Sequence, residues 1–380
     1  MKINPQYTKT LINNIPYLIP YGQQVADFSK ALMLNETADL LLSRISQGAD
    51  EKELLNFLSE AYDASDNDLA MLSQEITDFL NILKSNNVII TDYATDYSDQ
   101  STHFIRIGSL NISLFGADKL YDRYFSDFSC GAPPEKCSQK IRILTYPPYT
   151  HINGNILVRN NELIVSETED KYIIIFVSSN VYELHSAKDG SLVTVYCKEN
   201  QSDEALSELF HAIRFAFLIA AMADDKYVLH SASILYKGKA WLFSGISGAG
   251  KSTHANLWKD YYNTPILNGD LNMIGFENGS AVVYGLPWCG TSGIYTKETW
   301  PLGGITFLKQ ASENKVIIPS KDKKMLFFMQ RLISPSWKIS HIESSLRFAE
   351  KAADSVPFFR LLCTKDPDAA KTIKSHIDSV

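Results

Sequence analysis

The chain has 380 residues, 45% hydrophobic and 21% charged, an ordinary soluble globular mix long enough for two or three domains. A net charge of −7 disfavours broad contact with nucleic acid. The longest apolar run, Phe215–Met222, stops at Asp224-Asp225 and is too short to span a membrane, so it reads as a buried helix.

The N-terminus, Met1-Lys-Ile-Asn-Pro-Gln6, has no apolar stretch of the secretory kind. The five cysteines are scattered, odd in number and without zinc spacing. Both features point to a cytoplasmic protein with reduced thiols.

Residues 1–95 form a first unit. Ile15–Tyr21, Gln24–Phe28 and Lys30–Leu34 are short strand candidates. Asn35 fits an N-cap, with Asp39 in the first turns of a helix that ends near Gly48. A second helix is expected over Asp50–Tyr62. A third is expected over Leu69–Lys84, with Leu72, Ile76, Phe79, Leu80 and Leu83 on one stripe. Val88–Thr91 would be a closing strand, and the whole reads as winged-helix-like. The stripes are expected to be core. An open sheet edge beside a helix groove would also accept a peptide as an added strand.

Residues 100–200 alternate strand-like runs with polar turns: His103–Ile107, Asn111–Phe115, Lys140–Tyr146, Asn155–Val158, Leu163–Ser166, Tyr172–Val177 and Leu192–Cys197. This is a β-rich middle region with no motif that carries chemistry.

Residues 201–380 read as a nucleotide unit. Asp203–Met222 is a helix, and Tyr227–Tyr236 and Lys239–Ser244 are strands joined at Lys237-Gly238. Next comes Gly245-Ile246-Ser247-Gly248-Ala249-Gly250-Lys251-Ser252-Thr253, which fits G-x-x-x-x-G-K-[ST] at every fixed position. The three glycines are expected to take backbone angles closed to side chains, so that successive N–H groups cradle phosphates. Lys251 would reach the β- and γ-phosphates of ATP, and the Ser252 hydroxyl would bind Mg²⁺. Thr253–Tyr262 would follow as a helix whose N-terminus favours anions. Further strands are expected at Thr264–Asn268, Ala281–Tyr284 and Gly304–Lys309, and helices at Lys321–Leu332 and Ser345–Ala353.

Three more features have two readings each. Asp270 ends an apolar strand, where a carboxylate would bind Mg²⁺ or take a proton from an attacking hydroxyl; it is also a plain turn aspartate. His230, late in Tyr227–Ile234, would touch a phosphate or substrate, although on spacing alone it is a core histidine. Pro287-Trp288-Cys289-Gly290 would cover the phosphates, with Cys289 a nucleophile, or would be a packed aromatic turn.

Residues 225–310 resemble the HPr kinase/phosphorylase superfamily, a P-loop fold similar also to phosphoenolpyruvate carboxykinase. The matching pieces are Leu229–Ile234, Phe243–His254, Leu267–Asp270, Gly285–Gly290 and Pro301–Leu308. The closest likeness is to kinase-like members found with peptide-modification genes. The resemblance implies that His230 sits near the phosphates and that Asp270 is the acid at the reacting phosphate. Two positions depart from the pattern: Gly269 stands where the HPr enzymes have a second acid, and Thr291 where relatives often carry lysine. Oligomers in that family make a homo-oligomer an expectation by analogy.

Residues 15–90 resemble the PqqD-like peptide-recognition elements through the strand cluster, Leu34–Leu42, Gly48, Ala61-Tyr62-Asp63 and the third helix. That resemblance implies a leader peptide held along Lys30–Leu34 and Leu69–Lys84. Together these features lead to an α/β, multidomain chain: a PqqD-type unit, a β-rich middle and an HPr kinase-like P-loop unit. The expected function is ATP-dependent phosphorylation of a hydroxyl on a captured ribosomal precursor peptide, with Asp270, His230 and Lys251 catalytic. A small-molecule kinase or carboxykinase-like enzyme, and a non-catalytic ATP-binding peptide chaperone, are the alternatives.

Overall fold

The structure, a computed structural model, describes residues 2–4, 6–21, 25, 30–65, 68–86, 88–90, 102–145 and 154–380. The chain is mixed α/β, with four sheets and nine helices among the described residues.

The first stretch holds β1 (Lys2–Ile3), β2 (Tyr7–Ile12), β3 (Ile15–Pro20), β4 (Leu32–Met33), α1 (Glu36–Ser46), α2 (Glu51–Ala61), α3 (Leu69–Ser85) and β5 (Ile89–Ile90). Strands β2, β3 and β4 form an antiparallel sheet in that order, and β1 pairs with β5. The helix starts follow from their caps. Asn35 Oδ1 accepts from the Ala38 N–H at 2.7 Å, and Asp50 and Glu53 cap each other's backbone at 2.9 Å. Leu72, Ile76, Leu80 and Leu83 of α3 are buried, so its stripe is core. The unforeseen strand β2 turns into β3 at Asn13-Asn14, both at positive φ, the geometry of a tight two-residue hairpin. The Gln24–Phe28 candidate, apart from Val25, lies outside the described residues, as does Thr91.

The middle stretch is an eight-stranded sheet. Its elements are β6 (Thr102–Ile107), β7 (Leu110–Phe115), α4 (Asp118–Tyr124), β8 (Gln139–Leu144), β9 (Asn155–Arg159), β10 (Leu163–Glu167), β11 (Lys171–Phe176), β12 (Val181–Ala187) and β13 (Leu192–Cys197). The order is β6-β7-β8-β13-β12-β11-β10-β9, with β8 parallel to both neighbours. Two elements escape the sequence reading. Helix α4 is only two turns long. Strand β12 carries Glu183 and His185, which look exposed in sequence but are buried and satisfy each other at 2.8 Å. Tyr146, the expected end of the third strand, lies outside the described residues.

The last stretch holds α5 (Asp203–Ala223), β14 (Tyr227–Tyr236), β15 (Lys239–Ser244), α6 (Lys251–Tyr262), β16 (Ile266–Asn268), β17 (Leu271–Glu277), β18 (Ser280–Tyr284), β19 (Thr299–Gln310), β20 (Lys315–Ile317), α7 (Lys321–Met329), α8 (Ile339–Ser355), β21 (Phe358–Cys363) and α9 (Pro367–Ile377). Strands β15, β19 and β21 run parallel. Strand β14 changes partner midway. Tyr227–His230 pairs with β17, and Ser231–Tyr236 pairs with β15. Helix α5 is, among the described residues, the one helix long and apolar enough to cross a membrane, and 67% of that stretch is buried inside the protein. One hydrophobic cluster joins the inner face of the middle sheet, α5, Met273, Tyr284 and Trp288.

Candidate active site

The partner switch in β14 fixes the site. His230 is the last residue paired to β17, opposite Leu271, and Ser231 is the first paired to β15, opposite Ser244. His230 therefore stands between Asp270, which precedes β17, and Gly245, which begins the phosphate loop. Short hydrogen bonds hold the junction. Ser231 N–H donates to Asp270 O at 2.9 Å, and Ser244 Oγ donates to His230 O at 2.8 Å.

Gly248 and Gly250 have φ of +75° and +97°, as expected of residues that turn N–H groups inward. Gly245 needs its missing side chain for another reason. Its φ is not positive; a Cβ there would lie 2.8 Å from the Ala249 Cβ and 3.0 Å from the Leu308 carbonyl. The loop is braced by Ala249 N–H to Ile246 O at 3.0 Å and by Gln310 Nε2, which donates to Gly248 O at 2.7 Å. Ile246 and Ser247 are exposed at the tip, and Ala249 is buried beneath. Helix α6 begins at Lys251, two residues earlier than the sequence reading has it.

His230 Nε2 lies 2.9 Å from Asp270 Oδ1, with both side chains about one-third exposed. This hydrogen bond holds the Asp270 carboxyl below the usual carboxylate range, against burial; the charges of His230, Lys251 and Arg214 act in the same direction. Asp270 is thus ionised at neutral pH. Burial pushes the Lys251 ammonium down, Asp270 draws it up, and Arg331 adds to the depression. Lys251, Asp270 and His230 meet at one place in the fold. Asn268 shapes the turn beneath them: its Oδ1 accepts from Asp270 and Leu271 N–H, and its Nδ2 donates to Leu286 and Trp288 carbonyls.

Ser252 and Asp270 line one cleft of about 350 Å³ with Asn256, Cys289, Thr291 and Ser292. A hydroxyl, an ionised carboxylate and room for phosphate oxygens and water are what Mg²⁺ takes when it bridges protein to nucleotide. The residues present therefore fit Mg²⁺, to be completed by phosphates and water; among the described residues no cluster of three or more His, Cys, Asp or Glu competes as a metal site. Thr253 lies on the other side of the loop, in a small cavity with His254, Gln310 and Thr364.

Gly269 and Thr291, the two positions singled out as departures, each have a physical setting. A Cβ on Gly269 would sit 2.5 Å from the Ser292 Cβ, so the backbone here has no room for a second acid. Thr291 lines the cleft itself. The Pro287–Gly290 loop packs straight onto the acid: a Cβ on Gly290 would be 3.0 Å from Asp270 Cγ. Burial raises the Cys289 thiol, so it is not an activated nucleophile.

Three residues of the site were not singled out in sequence. Arg214 and His211 come from α5, and Arg331 follows α7, its carbonyl accepting from the His230 N–H at 2.9 Å. An arginine and a histidine three residues apart in the otherwise apolar stretch 209–223 of that helix were the available signal for the first two. Arg331 had none.

No known protein-family profile matches the chain, and no curated protein matches it. Among solved structures, one similar chain is the Hpr(Ser) kinase/phosphatase from Coxiella burnetii, at 10% identity and a TM-score of 0.24. The match covers 40% of this chain and 97% of that one. Likeness at that level transfers neither activity nor site residues.

Proposed function

We propose that the chain is an ATP-dependent phosphotransferase acting on a hydroxyl, and that the acceptor is a peptide. The observation that carries the reading is a cleft lined by Ser252 and Asp270, with His230 bonded to that carboxylate and the charge of Lys251 acting on it. Bound ATP supplies the γ-phosphoryl group, and Mg²⁺ neutralises phosphate charge. The loop N–H groups and Lys251 stabilise charge on the transferring group. The bond from the acceptor oxygen to phosphorus forms as the bond to the ADP oxygen breaks. The hydroxyl proton passes to Asp270 and on to water. Asp270 is a weak base because His230 stabilises its anion, so its main work is to orient the hydroxyl and hold the metal. His230 fixes the carboxylate and would touch the transferred group.

The peptide part of the reading rests on residues 2–90. Strand β4 is an edge of its sheet, and Met33 on it is 65% exposed. A peptide laid along Lys30–Leu34, beside α3, would add a strand there. Capture in cis would raise a weak acceptor to about millimolar effective concentration. The test is mass spectrometry of a precursor peptide co-expressed with the wild type or Lys251→Ala. The wild type should add one phosphate and the variant none; equal masses refute the kinase reading for that peptide.

A further inference from the structure

On the far side of Asp270 lies a cationic surface that the phosphate chemistry does not use. On α5, residues 210, 214 and 217 follow helical spacing, so Phe210, Arg214 and Phe217 share a stripe. Trp288 packs on that stripe. Its ring is 5.3 Å from Phe210 and 4.9 Å from Phe217, and its Nε1 donates to the Phe210 carbonyl at 3.1 Å. Arg214 therefore emerges beside Trp288. Two residues on, Gly290 abuts Asp270. His211, one turn earlier, flanks Arg214 on the same side of the helix. Arg214 has no ion-pair or hydrogen-bond partner among the described residues, and His230 engages Asp270 through Oδ1.

A half-buried guanidinium that feels the charge of Asp270 but bonds no carboxylate keeps its donors open to a further anion. Lys251 comes to Asp270 from the phosphate loop and the start of α6, whereas Arg214 comes from α5 beside the Trp288 loop that packs onto Asp270.

We infer that Arg214, flanked by His211 and steadied by Trp288, is a specificity-determining subsite for a carboxylate carried close to the acceptor hydroxyl. This deepens the kinase reading and rests on it. The carboxylate belongs either to an acidic residue next to the acceptor in a peptide or to a small hydroxy acid. The guanidinium fork binds either bidentately.

The test uses the full chain saturated with Mg-ADP, so that binding is read without turnover. Calorimetry compares Ac-Asp-Ser-Asp-NH₂ with Ac-Asn-Ser-Asn-NH₂, and D-glycerate with glycerol. In at least one pair the acid should bind about tenfold tighter or more. The pair that discriminates identifies the source. Arg214→Gln should abolish the preference, and Arg214→Lys should keep only part of it. Absence of preference in both pairs overturns the subsite, as does an unchanged preference in Arg214→Gln. Should Arg214→Gln melt early, an unchanged preference in Arg214→Lys overturns it instead. ADP release from Mg-ATP with the same probes separates the two ideas. Arg214-dependent binding without turnover keeps the subsite and removes the kinase reading. Turnover without Arg214-dependent preference does the reverse.

Discussion

Two walls face each other across Asp270, and they are built in opposite ways. The phosphate wall is one contiguous run, Gly245–Thr253, whose residue types are dictated by backbone angle, close approach and charge. The other wall is assembled from α5, the Trp288 loop and Ser292, which are distant in sequence and held by packing. The difference teaches where each kind of information sits. A wall that binds an invariant group needs an invariant local motif. On the proposed reading, a wall for a particular acceptor can be drawn from any elements that the core brings together.

The largest expected effect sharpens this contrast at the shared residue. Asp270→Asn should lower kcat by a factor of about 100 to 1,000, a larger change than its effect on Mg-ATP affinity, since the phosphate loop still holds the nucleotide. Steady-state kinetics beside nucleotide titration reads both quantities, and unaltered turnover refutes the role of Asp270.

The next variants probe the acceptor wall. Gly269→Asp restores the acid pair in sequence but drives a side chain into Ser292, so it should destabilise the fold by about 1–3 kcal/mol. Adding Ser292→Gly should recover part of that loss in denaturant melts, and no recovery contradicts the packing described. On the phosphate wall, burial holds His254 neutral, with a pKa lowered to about 4, and it accepts from Trp258 Nε1 at 3.3 Å. The unfolded histidine takes up its proton near pH 6.5, whereas the folded one waits until about 4. Stability is therefore full above pH 6.5 and falls as pH drops, by roughly 3 kcal/mol once below pH 4. Melting curves against pH should flatten in His254→Gln. The smallest effect is expected from Tyr295→Phe. Tyr295 pins the acceptor loop to the middle stretch through Asp127 at 2.6 Å, and its loss should cost about 1 kcal/mol and raise the acceptor KM rather than lower kcat. An unchanged KM would show that the pin does not shape the cleft.

Legibility followed the same divide. The glycine-rich loop, its flanking strand and helix and the first three helices could be read directly, because local chemistry specifies them, whereas Asp270 kept two readings. Asn35 and Asp50 announce their helices through caps. His230 looked like a core histidine on spacing alone; the family resemblance put it near the phosphates, and the partner switch in β14 sets it against Asp270. Arg331 was invisible, since nothing local distinguishes it from a surface arginine, and Arg214 showed only as a charge in an apolar stretch of α5. Strand β12 was missed because a buried Glu183–His185 pair mimics an exposed sequence.

The switch in β14 has a mechanical consequence. His230 and Ser231 form a seam between two half-sheets, and the reactive pair and the phosphate loop hang from opposite sides of it. Splaying the seam would pull Asp270 away from Lys251 without unfolding either half. Amide exchange at these two positions would then report how often the site comes apart, with a bound nucleotide acting as the stitch.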